Sequence, residues 1–94
     1  MYLINLHKKA LNDIEKLKKE ERKLAAKVFD LIFDIFKHPF TGIGEPEALK
    51  GDMKGWWSRR ITKKHRMVYR VRDEKSLGKK ILDVASCYGH YGDK

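Results

Sequence analysis

A glutamate directly after a proline (Glu47), an arginine in a strongly basic stretch (Arg66) and the pair His90-Tyr91 are the residues of this chain whose types could do chemistry together. The chemistry they fit is cleavage of a phosphodiester that carries its own nucleophile. An RNA 2′-hydroxyl attacks the adjacent phosphorus once a base removes its proton, and the departing 5′-oxygen needs an acid. A carboxylate can be the base and a histidine the acid, while an arginine neutralises charge that grows on the phosphoryl oxygens. Glu47, His90 and Arg66 can take these roles, and the scheme needs no metal or other cofactor. Each residue also has an ordinary reading. Glu47 could be a solvated loop carboxylate, His65 and His90 surface histidines, Tyr91 a packed aromatic, and Arg66 a plain phosphate contact.

The charge balance supports an anionic partner. Twenty-two Lys and Arg stand against thirteen Asp and Glu, a formal net charge of +9 on 94 residues. So small a body carries a strong positive field, for which nucleic acid is the first candidate, an acidic protein the second, and solubility alone the bland explanation. The length suits one domain spanning residues 1–94, burying about 60 to 65% of the surface its unfolded chain exposes. With 41% hydrophobic residues the core is modest, and a shallow polar working surface is expected rather than a deep pocket. Cys87 is the one cysteine, so neither an intrachain disulfide nor a cysteine metal cluster is possible. Its apolar neighbours predict a buried, unreactive thiol. The first residues lack the pattern of a signal peptide, and no apolar run approaches a bilayer span of about 20 residues, so the expected location is the cytoplasm.

The elements that must position the candidate residues follow from periodicity. Tyr2 to Leu6 reads as a strand. Leu11, Ile14 and Leu17 then mark a helix from about His7 to Lys19, and Leu24, Val28, Leu31, Ile32 and Ile35 mark a second, ended by Pro39 near Lys37 or His38. The short join at Lys19-Glu20-Glu21 predicts an antiparallel hairpin. Phe29, Phe33 and Phe36 form a further apolar row, expected to pack into the core in preference to lining a partner-binding groove. Thr41 to Pro46 reads as a loop. Trp56 to Thr62, His65 to Arg72 and Ile81 to Tyr88 read as strands, turning at Lys63-Lys64 and through a polar loop containing Gly78, with a meander as the economical topology. In the strand from His65, alternation sends Met67, Tyr69 and Val71 to the core and Arg66, Val68, Arg70 and Arg72 to a cationic face. Pairing would bring Arg60 to that face, and nothing in the pattern says where Arg59 goes. The fold class is α+β, an N-terminal strand and two-helix hairpin packed on a twisted antiparallel sheet.

The order of residues is more informative than their kinds. Pro39-Phe40-Thr41-Gly42-Ile43-Gly44-Glu45-Pro46-Glu47-Ala48-Leu49-Lys50, Gly55-Trp56-Trp57-Ser58-Arg59-Arg60-Ile61-Thr62, His65-Arg66-Met67-Val68-Tyr69 and Cys87-Tyr88-Gly89-His90-Tyr91 together resemble the YoeB/Txe toxins of the RelE/ParE superfamily. The resemblance implies the toxin of a type II toxin-antitoxin system, a ribosome-dependent endoribonuclease (mRNA interferase) that enters the ribosomal A site, cuts the messenger and inhibits translation. It implies Glu47 as general base, Arg66 as transition-state stabiliser, His90 as general acid and Tyr91 as an orienting group, with Lys50 and Arg60 holding the RNA backbone. The implied partners are a cognate antitoxin with an acidic or partly disordered segment and the ribosome with bound mRNA. A homodimer is left open, and no membrane is involved. Two features depart from the family pattern: Gly92-Asp93-Lys94 follow the terminal tyrosine, and the basic connection from Asp73 to Lys80 is longer. The alternatives are a ParE-like gyrase poison without chemistry and a plain RNA-binding module.

Overall fold

The computed structural model describes residues 2–89. Strand β1 (Tyr2–Leu6) leads into helices α1 (Lys8–Glu20) and α2 (Arg22–Lys37), joined by Glu21 alone. A loop crosses to strand β2 (Glu47–Ala48), and strands β3 (Trp57–Arg60), β4 (Arg66–Glu74) and β5 (Lys79–Ser86) follow. The sheet order is β1-β5-β4-β3-β2. The run β2-β3-β4-β5 is antiparallel, as the meander reading expects, whereas β1 joins the far edge parallel to β5. The helical hairpin makes this possible by carrying the chain off one sheet edge and returning it at the other, the kind of crossover that parallel pairing requires. Among the described residues no helix is long and apolar enough to cross a membrane.

The helices cover one face of the sheet. Leu17, Leu24, Val28, Leu31, Ile32 and Ile35 pack against Met67, Tyr69, Leu82, Val84 and Cys87. Burying such side chains contributes about 1.5–3 kcal/mol each, enough to hold a helical pair whose first member has few apolar residues. In α1 the buried stripe is Ala10, Asp13 and Leu17, with Leu11 half exposed, so the expected stripe through Leu11 is displaced. Asp13 tolerates burial because its carboxylate accepts from the Cys87 backbone N–H at 2.9 Å and from Lys9 Nζ at 2.9 Å. Phe29 and Phe33 also differ from expectation. They lie on the outer side of α2, 44% and 57% exposed, while Phe36 stacks on Tyr2. One sheet face absorbs only one helical stripe, and the Leu24 to Ile35 row already fills it.

The other sheet face carries the cations, with Arg66, Arg70 and Arg72 on β4 as alternation predicts. Much of their charge is answered locally. Asp83 lies buried opposite Arg70 and accepts from Arg70 Nε at 2.9 Å, Arg72 Nε at 2.6 Å and Asn5 at 2.8 Å. Burial alone would raise its pKa, but these hydrogen bonds outweigh it and hold the carboxyl far below the usual range. The segment expected as a polar loop is largely strand. Asp73 pairs with Lys80 and Glu74 with Lys79, leaving a 3-10 turn at Lys75–Leu77 closed by Gly78 in the left-handed region. Cross-strand pairing of opposite charges stabilises these polar strand ends.

Candidate active site

Strand register brings the candidate residues together. Glu47 on β2 is opposite Ser58 on β3, which is opposite Val68 on β4, and two residues along Arg60 is opposite Arg66. Directly opposed residues share a face, so Glu47, Ser58, Arg60 and Arg66 all emerge on the cationic side of the sheet. The β2 strand, too short to be visible in the sequence, is what docks Glu47 there. It continues through a Leu49 N–H to Trp56 C=O bond of 2.9 Å.

Arg66 is held rigidly for an arginine. Its side chain is 9% exposed. Nε donates to Ser58 Oγ at 3.0 Å, and Nη2 donates to the Glu45 carbonyl at 3.2 Å and the Ser58 carbonyl at 3.4 Å. The same Nη2 lies 3.9 Å from Glu47 Oε1, whose carboxylate is 71% exposed. A fixed guanidinium beside an accessible carboxylate can grip an anionic group while the carboxylate takes a proton from it. Arg60, half exposed, pairs with Glu45 at 2.8 Å, and Lys50 is exposed just beyond β2.

The loop that feeds β2 is fixed by the arginine whose place the sequence left open. Arg59 faces inward and is fully buried. Its Nη1 pairs with Asp34 Oδ2 at 2.6 Å and donates to the Ile43 carbonyl at 3.1 Å. Its Nη2 donates to the His38 and Thr41 carbonyls at 2.5 and 2.6 Å, and Nε to the Tyr69 hydroxyl at 3.1 Å. Tyr69 in turn donates to the Pro39 carbonyl at 2.7 Å. One side chain thus satisfies carbonyls around the end of α2 and through the loop, where a positive charge also favours the helix dipole. The Asp34 carboxyl is held below its usual pKa, chiefly by the Arg59 hydrogen bond. Gly44, at φ +81°, accepts from the Arg60 N–H at 2.7 Å, and a Cβ there would sit 2.9 Å from Leu31 and 3.1 Å from Arg59. Glu45 follows at φ +51°, an uncommon conformation for a side-chain-bearing residue. It aims its carbonyl at Arg66.

The end of the described chain reaches the same region. Gly89 C=O accepts from the Arg66 backbone N–H at 2.9 Å, and Gly89 N–H donates to His65 Nδ1 at 2.9 Å. His65 is buried rather than a surface histidine, and its Nε2 lies 3.0 Å from Glu20 Oε1. Tyr88 donates to the other Glu20 oxygen and lies against the His65 ring at 4.3 Å between centroids. His90 and Tyr91 lie outside the described residues.

Sequence reasoning passed over Arg59, Ser58, the Glu45 carbonyl and His65. For Arg59 a signal existed: a charge at core-facing parity between Trp57 and Ile61 demands buried acceptors. Ser58 and the Glu45 carbonyl had none, because the first contact depends on the β3–β4 register and the second on the course of the loop before β2.

Residues 6–91 match the family described as YoeB-like toxin of bacterial type II toxin-antitoxin system. Toxin YoeB of Escherichia coli K12 is 42% identical over 71 residues, covering 76% of this chain and 77% of that protein. Toxin YoeB of Streptomyces coelicolor is 50% identical over 54 residues, 57% of this chain and 64% of that protein. Among solved structures, a YoeB/ParE toxin from Agrobacterium tumefaciens superposes with a TM-score of 0.84 at 40% identity, covering 94% of this chain and 98% of that one. The YoeB chain of a heterotetrameric YoeB-YefM complex from Staphylococcus aureus gives 0.79 at 33% identity over 97% and 99%. The likeness extends over sheet, helical hairpin and the loop that carries Glu47 to Arg66, and the chain belongs to the YoeB-like toxins of bacterial type II toxin-antitoxin systems.

Proposed function

We propose that this toxin is a metal-independent endoribonuclease that cleaves messenger RNA in the ribosomal A site and so stops translation. The observation that carries the reading is the approach of Arg66 and Glu47 on an exposed sheet face, with the guanidinium locked by Ser58 and Glu45. Glu47 takes the proton of the 2′-hydroxyl, which attacks the adjacent phosphorus. Arg66 stabilises the phosphorane oxygens, and His90 protonates the departing 5′-oxygen, with Tyr91 orienting substrate or acid. The bond from Arg66 N–H to Gly89 C=O supports this assignment, since His90 is the next residue in the chain. Arg60 and Lys50 hold the flanking RNA backbone.

The site is open, so orientation of the reacting strand comes from outside, and the ribosome is the scaffold that supplies it. Relatives from Staphylococcus aureus have been solved in complex with YefM and as a dimer. By that likeness an antitoxin, acidic or partly disordered when free, covers the basic face of this chain in the cytoplasm, and a homodimer can form.

Primer extension on a defined messenger translated in a purified bacterial system tests the reading, with naked messenger as control. Discrete cuts are expected only with ribosomes, leaving a 2′,3′-cyclic phosphate or its hydrolysed form and a 5′-hydroxyl. Glu47→Gln, Arg66→Ala and His90→Ala should each slow cleavage by about a hundredfold to ten-thousandfold while remaining folded. A 5′-phosphate product would exclude 2′-hydroxyl attack. Absence of cutting by folded, antitoxin-free toxin would favour a ParE-like gyrase poison or an RNA-binding module.

A further inference from the structure

A backbone N–H can only donate, so the 2.9 Å bond from Gly89 N–H to His65 Nδ1 requires that nitrogen to be unprotonated. The ring proton is then on Nε2, where Glu20 accepts it at 3.0 Å. Glu20 is held in its ionised form, its pKa lowered first by the Tyr88 hydroxyl and then by His65. His65 is itself placed by its backbone, since its N–H donates to Thr62 Oγ1 at 3.1 Å and its carbonyl accepts from the Ile61 and Thr62 N–H groups. The His65 side chain is 4% exposed and its ring lies against that of Tyr88. A buried, tautomer-defined histidine thus grips the residue that precedes His90.

We infer that His65 is a positioning residue for cleavage: its Nδ1 pins Gly89, the residue before the proposed acid in the chain, beside Arg66. This rests on the nuclease reading above, though the pin itself does not. The Gly89 amide and carbonyl are clamped by consecutive residues, His65 and Arg66, so the segment after β5 and the phosphate-gripping arginine share one anchor.

Two substitutions separate the pin from the burial. In His65→Asn the amide oxygen occupies the Nδ1 position and still accepts from Gly89, while the Glu20 link is lost. In His65→Gln the terminal amide reaches Glu20, while the acceptor for Gly89 is lost. The measurements are Gly89 amide hydrogen exchange in the labelled full-length toxin and single-turnover cleavage on programmed ribosomes. His65→Gln should lose about tenfold in Gly89 protection, the worth of one hydrogen bond. Its cleavage rate at saturating ribosomes should fall by about tenfold or more, with the half-saturating concentration little changed. His65→Asn should stay within about threefold of wild type in both readouts. Wild-type Gly89 protection in folded His65→Gln would overturn the pin. Lost protection with undiminished cleavage would overturn the positioning role. If wild-type toxin cleaves nothing, the nuclease reading fails while the exchange result still decides the pin.

Discussion

Replacing Asp34 by Asn should be among the most damaging conservative changes in this protein. The substitution keeps the volume and leaves a buried Arg59 guanidinium without its counter-charge. Removing one partner of a buried pair costs about 3–5 kcal/mol. Arg59 retains the carbonyls of His38, Thr41 and Ile43 and the Tyr69 hydroxyl, all neutral acceptors, and Asp34 is 18% exposed, so the low end of about 3 kcal/mol applies. A domain of 94 residues has a total stability of about 5–14 kcal/mol, so this is a large share. With a urea m-value of about 1 kcal/mol/M, the unfolding midpoint should fall by about 3 M. The exposed Arg60–Glu45 pair is an internal control, since Glu45→Gln should change stability by less than about 0.5 kcal/mol. The pH dependence has a definite sign. Asp34 has a lowered folded pKa, so its contribution is complete above the unfolded carboxylate pKa of about 4 and is lost as pH falls below that. Wild type and Asp34→Asn should therefore converge in acid. A loss below about 1 kcal/mol at neutral pH would refute the view that Arg59 depends on this carboxylate.

Gly44→Ala should destabilise by about 2 kcal/mol or more, because a Cβ meets Leu31 and Arg59 and the left-handed backbone disfavours a side chain; urea unfolding measures it, and a neutral effect would show that the loop can shift. Cys87, its thiol pushed up to about 12 mainly by burial, should resist thiol reagents at pH 8 in the folded toxin and react fully in denaturant. Reaction at equal rates in both states would contradict its burial. Asp83→Asn should weaken the protein most at neutral pH and lose its effect in strong acid, since the Asp83 contribution disappears as falling pH protonates the carboxyl; calorimetry across pH reads this out, and a pH-independent difference would count against the Arg70–Arg72 link.

The two helices, the loop before Glu47 and the three strands of the meander were legible because each rests on local pattern: a stripe of apolar residues, a proline stop, glycines at alternate positions, alternation of arginine with core residues. The Leu11 and Phe33 expectations failed for a shared reason. Periodicity marks an apolar face without saying whether another surface reaches it, and Asp13 displaced Leu11 only because the Cys87 N–H, seventy-four residues away, supplied a partner.

The sequence by itself determined the helical hairpin, the cationic outer face of β4, the buried thiol and, through the order of its motifs, the family. Tertiary structure alone decided that β1 lies parallel to β5, that Arg59 turns inward to nail the loop, and that a two-residue strand brings Glu47 within reach of Arg66. It alone decided that His65 closes on Gly89. These depend on hydrogen bonds between residues far apart in the chain, whose partners are set by strand register and by the need to satisfy buried charge, and neither leaves a periodic trace in the residues involved.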